Sequence, residues 1–154
     1  MQSVNQTKKS TDRTPQLDEQ LCFSLYAASL AMNKVYRQRL RPLGITYLQY
    51  LVLMVLWQQD TLTVTGIGER LFLDSATLTP LLKRMETQEL ISRTRAVNDE
   101  RQVIISLMPA GSALRKQAAT LNAAVSCATE CSPTEANVLN QQLVKLRGAL
   151  LKNS

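Results

Sequence analysis

The side chains best suited to chemistry in this 154-residue chain are three cysteines, Cys22, Cys127 and Cys131, in a sequence that contains no histidine. Without imidazole there is no Cys-His or Ser-His nucleophilic pair, and no zinc site of the histidine-containing kinds. A zinc site using all three thiolates would lack a fourth protein ligand, so no metal and no other cofactor is expected. What thiols can do unaided is redox chemistry: a thiolate is oxidised by peroxide to a sulfenic acid, which condenses with a second thiol to a reversible disulfide. The competing reading is that each cysteine fills a core gap as a small hydrophobe. Cys127 and Cys131, spaced i, i+4, are expected to share one helix face, so that one of them is a bystander.

The rest of the chain must position these groups. Residues 1–16 are polar and aperiodic, and a disordered tail is expected there. The remainder, 17–154, reads as one domain. Leu21, Leu25, Ala28, Met32 and Val35 recur at helical spacing, giving a long first helix from Leu17 that stops at Arg41-Pro42-Leu43-Gly44. Thr46 can cap a second helix through LQYLVLMVLW, apolar nearly all round and therefore central to the core. That run is about half the roughly 20 residues a membrane span needs. With no apolar stretch behind Lys8 and Lys9 to make a secretory signal, a soluble, cytoplasmic protein without a membrane partner is expected. TVTGIGERLF follows as a short helical segment whose two glycines permit close approach of a neighbour.

Asp74 or Ser75 can cap the next helix, which runs to about Glu89. Leu78, Leu81, Leu82 and Met85 fall on one of its faces, with Pro80 expected to delay its start or bend it. The opposite side offers Thr77 and then the cations Lys83 and Arg84, and Ser75 and Thr79 add hydroxyls near the start of the helix. That arrangement suits a helix laid in a DNA groove, although any amphipathic helix also has a solvated face. ISRTRAVNDERQVIISL then reads as two strands around a charged tip. Pro109 opens a long alanine-rich helix through Cys131, and Ser132-Pro133 with Glu135 starts a last one.

Helix, turn, helix and two-stranded wing form a DNA-binding layout, with Arg93, Arg95 and Arg101 expected on phosphates or in the minor groove. Net charge is +6, but residues 69–101 carry six basic and six acidic side chains, so geometry rather than bulk charge makes the argument. Asp99 would repel phosphate unless it pairs with an arginine and aims the guanidinium.

The segment DSATLTPLLKRMETQELISRTRAVNDERQVIISLMPAG resembles the recognition helix and wing of the MarR family, whose wing bears Asp-x-Arg, here Asp99 and Arg101. Residues Asp74 to Leu82, with a cysteine early in the first helix, resemble the OhrR branch of organic-hydroperoxide sensors, and the likeness spans about 17–151. The resemblance implies a mainly α fold with a small β-hairpin wing. A winged helix-turn-helix lobe at about 46–108 would join dimerisation helices at about 17–41 and 109–151. It implies a non-enzymatic repressor that holds double-stranded operator DNA as a reduced homodimer and is released by an organic hydroperoxide. Cys22 takes the sensing position, Tyr36 and Tyr47 the positions that hydrogen-bond its thiolate, and Cys127, with Cys131 as alternate, the resolving position of the two-cysteine type. Helical rise separates Cys22 from Tyr36 by roughly 21 Å, so a bond between them must come from a second subunit. Two rival expectations are a repressor answering a small aromatic ligand with inert cysteines, and a thiol peroxidase.

Overall fold

A computed structural model describes residues 13–154. Of the expected tail, residues 1–12 lie outside the described range, and 13–16 form no regular element. Two compact units divide the chain, one ending at Lys34 and the other running Val35–Ser154.

The first unit contains a 3-10 turn, Leu17–Glu19, and the beginning of α1 (Leu21–Leu40). Spacing alone predicts helix from Leu17. Gln20 is extended, which separates the turn from the helix. Leu17, Leu21, Tyr26 and Leu30 are exposed.

In the second unit α1 ends at Leu40, and a 3-10 turn at Arg41–Leu43 leads to α2 (Tyr47–Gln58). Thr46 caps α2 as expected, in a reciprocal box: its Oγ1 accepts the Gln49 N–H while Gln49 Oε1 accepts the Thr46 N–H. Val52, Leu53 and Leu56 are fully buried or nearly so, which makes α2 the axis of the core.

Leu62–Thr63 then forms a two-residue strand, β1, before α3 (Val64–Leu71). The glycine at position 68 is required by proximity, since a Cβ there would stand 2.6 Å from the Leu73 carbonyl oxygen. Phe72 ends α3 in the left-handed conformation, and its ring lies beneath the Arg147 guanidinium, 4.3 Å from the centroid.

α4 (Ser75–Thr87) is capped by Asp74, whose Oδ1 accepts the Thr77 N–H at 2.7 Å. That bond holds the Asp74 carboxyl below its usual pKa. Leu78, Leu81, Leu82 and Met85 are buried on the predicted face, and the helix continues through Pro80 rather than starting after it.

β2 (Ile91–Arg95) and β3 (Val103–Leu107) form the wing, with Arg93 opposite Ile105 and Arg95 opposite Val103. β1 adds to the far side of β3, giving an antiparallel sheet in the order β1-β3-β2, one strand more than the hairpin predicted from sequence. Asp60 supports this addition by accepting the Leu107 N–H at 2.9 Å.

The predicted single helix from Pro109 to Cys131 is instead α5 (Pro109–Ala113) and α6 (Arg115–Ala128). Thr129 caps α6 and Glu130 turns left-handed (φ 56), so Cys131 is off the helix and does not share a helical face with Cys127. Ser132 and Glu135 make the expected capping box of α7 (Pro133–Lys152). No residue of α7 is buried, and Val138, Leu139, Val144, Leu150 and Leu151 are exposed.

Among the described residues no single helix is long and apolar enough to cross a membrane.

Candidate functional site

The predicted DNA-facing groups sit on one surface of α4 and the adjoining wing. Ser75, Thr77, Lys83 and Arg84 are exposed on α4, and Thr79 is half-buried. Between α4, the start of α3 and the wing lies a cavity of about 240 Å³, lined by Val64, Leu82 and Val103 together with polar groups that include Ser75, Arg93 and Arg101. Arg95 and Arg101 are exposed.

Arg93 is not free to reach outward as expected. Its Nη1 donates to Glu86 Oε2 at 3.3 Å, and its Nε is buried without a partner. The ion pair braces the wing against the last turns of α4.

Asp99 also departs from expectation. Its Oδ1 accepts the backbone N–H of Arg101 at 3.0 Å, its carbonyl accepts the Gln102 N–H at 3.0 Å, and among the described residues no ion pair joins it to a guanidinium. A short aspartate side chain bonds more readily to the backbone two residues ahead than to a long side chain that must be immobilised. Asp99 therefore shapes the wing turn, which indirectly fixes where the Arg101 Cα stands.

All three cysteines are free thiols. Cys22 is exposed near the start of α1, in the first unit. Cys127 is exposed in the last turn of α6. Cys131 is half-buried, and both its N–H and its Sγ bond to Thr129, at 3.3 and 3.5 Å.

Within the second unit the two predicted tyrosines do come together. The Tyr36 and Tyr47 rings lie 4.3 Å apart between centroids, with an interplanar angle of 30°. Sequence reasoning missed that the stack continues: Tyr50 is 5.9 Å from Tyr36 and meets Trp57 edge-on at 6.0 Å. Tyr47, Tyr50 and Trp57 follow spacings of three and seven along α2, a signal that was present but reads equally as core. Trp57 Nε1 closes the series by donating to the Gly111 carbonyl at 3.0 Å.

Burial raises the pKa of all three tyrosines. The neighbouring phenols add to this at Tyr36 and at Tyr50. As neutral phenols the hydroxyls can donate to an anion.

Because these folded values lie above the unfolded value of about 10, the unfolded phenols ionise first. The stabilisation they contribute is complete below about pH 10 and is lost as pH rises through the folded values. Denaturation midpoints are therefore expected to fall above pH 10 in the wild type and to fall less in a triple Tyr36→Phe, Tyr47→Phe, Tyr50→Phe variant. An undiminished fall in that variant would assign the titration to other groups.

Comparison with known proteins places these observations in a family. Residues 34–145 match the family described as transcriptional regulator SarA/Rot. The organic hydroperoxide resistance transcriptional regulator of Bacillus subtilis (strain 168) is 56% identical over 102 residues, covering 66% of this chain and 69% of the relative. Among solved structures, reduced AbfR bound to DNA, a protein of Staphylococcus epidermidis, superposes with a TM-score of 0.75 at 38% identity over 88% of this chain and 93% of its own. The disulfide-formed structure of AbfR gives a TM-score of 0.61 at 41% identity, over 84% and 91%. The reduced form of MarR from E. coli, at 23% identity and a TM-score of 0.67 over 82% and 96%, shares the fold. The chain belongs to the SarA/Rot family of transcriptional regulators and is built on the winged-helix fold of the MarR proteins.

Proposed function

We propose that this regulator is a homodimeric repressor that binds operator DNA when Cys22 is reduced and releases it when an organic hydroperoxide oxidises that thiol. The observation that carries the redox half is the Tyr36–Tyr47 pair, two half-buried phenols with 4.3 Å between ring centroids, in a chain with an exposed free Cys22. Phenolic donors stabilise a thiolate where no imidazole is available. The name of the Bacillus relative supports the choice of oxidant, and the AbfR structures support reduced, DNA-bound and disulfide states in a protein of similar fold.

Exposed apolar surface supports the dimer. α7 exposes an apolar series along its length, and the first unit exposes Leu17, Leu21, Tyr26 and Leu30. Such surface is normally covered. We assign the lobes as expected from sequence, about 46–108 for DNA and about 17–41 with 109–151 for pairing. Ser75, Thr77, Thr79, Lys83 and Arg84 face the major groove, Arg95 and Arg101 contact the backbone or minor groove, and Arg93 with Asp99 holds the wing in shape.

In the sensing step the Cys22 thiolate attacks the hydroperoxide: an S–O bond forms, the O–O bond breaks, and an alkoxide leaves to be protonated to the alcohol. Cys22 becomes a sulfenic acid. The thiol of Cys127 then displaces its oxygen as water, giving the disulfide. Cys127 is preferred to Cys131 because its thiol is exposed and not engaged with Thr129.

The test is a titration of operator DNA with reduced protein, followed by an organic hydroperoxide and then a thiol reductant. Loss of binding that the reductant restores is expected. Continuous peroxide turnover would instead indicate a peroxidase. On non-reducing electrophoresis a peroxide-dependent band at twice the chain mass should vanish in Cys127→Ser; a band lost only in Cys131→Ser would reverse the choice of partner.

A second reading is favoured by one feature. A cavity of about 360 Å³ between the end of α1 and α6 has an apolar floor with Leu43, Leu121 and Ala124 and a cationic rim with Arg39 and Lys116. Release of operator by a small aromatic acid with all three thiols alkylated would establish that reading.

A further inference from the structure

Gln49 is a buried polar side chain of the core, 4% exposed, and both ends of its amide are engaged. Its Oε1 accepts the Thr46 N–H at 3.0 Å, and its Nε2 donates to Gln88 Oε1 at 2.9 Å. Gln88 Nε2 in turn donates to the Gly44 carbonyl at 3.1 Å. The two glutamines therefore close a ring through Gly44, Thr46, Gln49 and Gln88. The ring joins the entry to α2 with the C-cap of α4, where the Gln88 N–H also donates to the Arg84 carbonyl.

Capping alone does not demand this connection. Gln49 already completes the capping box with Thr46, and any C-cap residue satisfies the end of α4. The amide of Gln88, by contrast, reaches 44 residues back to Gly44. Thr46 directly precedes Tyr47, whose ring stacks on Tyr36. A buried amide left without its partner is costly, so the ring tends to move as a unit or to break altogether.

We infer that Gln88 is a positioning residue that transmits the state of the Tyr36–Tyr47 pair to the recognition helix, through Gln49 and the Gly44–Thr46 turn. This rests on the redox reading above for its biological trigger, but the coupling itself can be measured without peroxide. When Tyr47 shifts, the Thr46 backbone shifts with it, Gln49 loses or drags its partner, and the C-terminal end of α4 is re-aimed relative to the groove. Gln88 is exposed and lies outside the predicted DNA-facing groups, so its replacement spares the DNA contacts, while the Gln49 amide it leaves unpaired is a stability cost that thermal unfolding measures.

Two measurements test this. In the first, Gln88→Met, which keeps volume and removes both bonds, is compared with wild type for operator affinity before and after hydroperoxide, with Cys22 oxidation followed by thiol labelling. The variant should oxidise like wild type yet lose at least about fivefold less affinity on oxidation, the lower end of usual coupling between sites. Equal release by both proteins would overturn the inference. In the second, a double-mutant cycle of Tyr47→Ala and Gln88→Met reads operator affinity of the reduced protein. Non-additivity of about fivefold or more is expected, and strict additivity would overturn the inference. If wild type fails to release operator on oxidation, the redox reading falls while the cycle still decides the coupling. It decides equally if Gln88→Met weakens reduced binding. Thermal unfolding of each variant separates loss of coupling from loss of fold.

Discussion

Cys22→Ser is expected to bind operator DNA as tightly as the reduced wild type and to remain bound through an excess of organic hydroperoxide that releases the wild type. Serine matches the thiol in shape and can accept the phenolic hydrogen bonds proposed for Cys22, but its hydroxyl is not ionised near neutral pH and is not a nucleophile toward peroxide. The substituted side chain is exposed, so no cavity or unsatisfied buried group is created and the fold is unaffected.

Population arithmetic sets the scale of the effect. Converting a mostly bound dimer to a mostly free one requires about 10⁴-fold preference between states, and the variant forfeits all of it because its trigger is absent. Fluorescence anisotropy with labelled operator measures both forms. If Cys22→Ser is released by peroxide as the wild type is, then Cys127 or Cys131 is the sensing thiol, or the protein senses something else. A variant that never binds operator would show that the Cys22 thiol is required for the reduced fold itself.

Gly111→Ala is expected to destabilise the protein by about 1–3 kcal/mol, the usual cost of overpacking, with an unfolding midpoint lower by about 2–4 °C for each kcal/mol. Helix propensity alone predicts the opposite, because alanine in a helix is favoured over glycine by about 1 kcal/mol. Steric contact wins here. A Cβ at position 111 would stand 2.2 Å from the Leu90 carbonyl oxygen, 3.1 Å from its carbon and 3.3 Å from Leu107 Cδ2. Backbone atoms cannot rotate aside, and this carbonyl is already held by the Met108 N–H at 3.0 Å. The Gly111 carbonyl meanwhile holds the Trp57 indole, so any retreat of α5 breaks a second bond.

Gly148, in α7, provides a comparison, since nothing of its own chain lies within 4 Å of a Cβ there. Gly148→Ala should therefore raise stability, by up to about 1 kcal/mol. Calorimetry on both variants checks the pair. Equal and positive shifts would mean that α5 yields readily, and that the close approach at Leu90 is not a constraint.

Much of the arrangement was legible before any coordinates, because it is written in spacings of three and four residues and in caps. Leu78, Leu81, Leu82 and Met85 define a buried face by period alone, and the structure buries all four. Thr46 and Ser132 announce helix starts through side chains that bond the backbone three residues on, and both form complete capping boxes. The alternation of Val103, Ile105 and Leu107 was enough to identify a wing strand, although only Ile105 is fully buried.

Other features had no local signal. β1 is two residues long, too short for any period, and exists because Leu62 and Thr63 find partners at Ile105 and Ile104. Cys131 belonged to the alanine-rich helix by composition, yet Glu130 adopts a left-handed conformation that ends that surface after α6. The Asp99–arginine pair was inferred from charge, and lost to a backbone N–H two residues away. Arg93 likewise had the right charge for DNA but turned to Glu86. Nothing in residue types alone singled out Cys22 from the other two thiols; only the family resemblance did.

By itself, then, the sequence determined the order of helices and wing, the faces they bury and the chemistry open to a chain with thiols and phenols but no imidazole. Those properties depend on neighbours within about one helical turn. The tertiary structure alone decided that Tyr36 meets Tyr47, that Gln49 reaches Gln88 across 39 residues, and that Trp57 bonds Gly111 across 54. Such contacts are specified by how whole elements pack, where burial of many side chains at once selects a geometry that no short stretch of residues encodes.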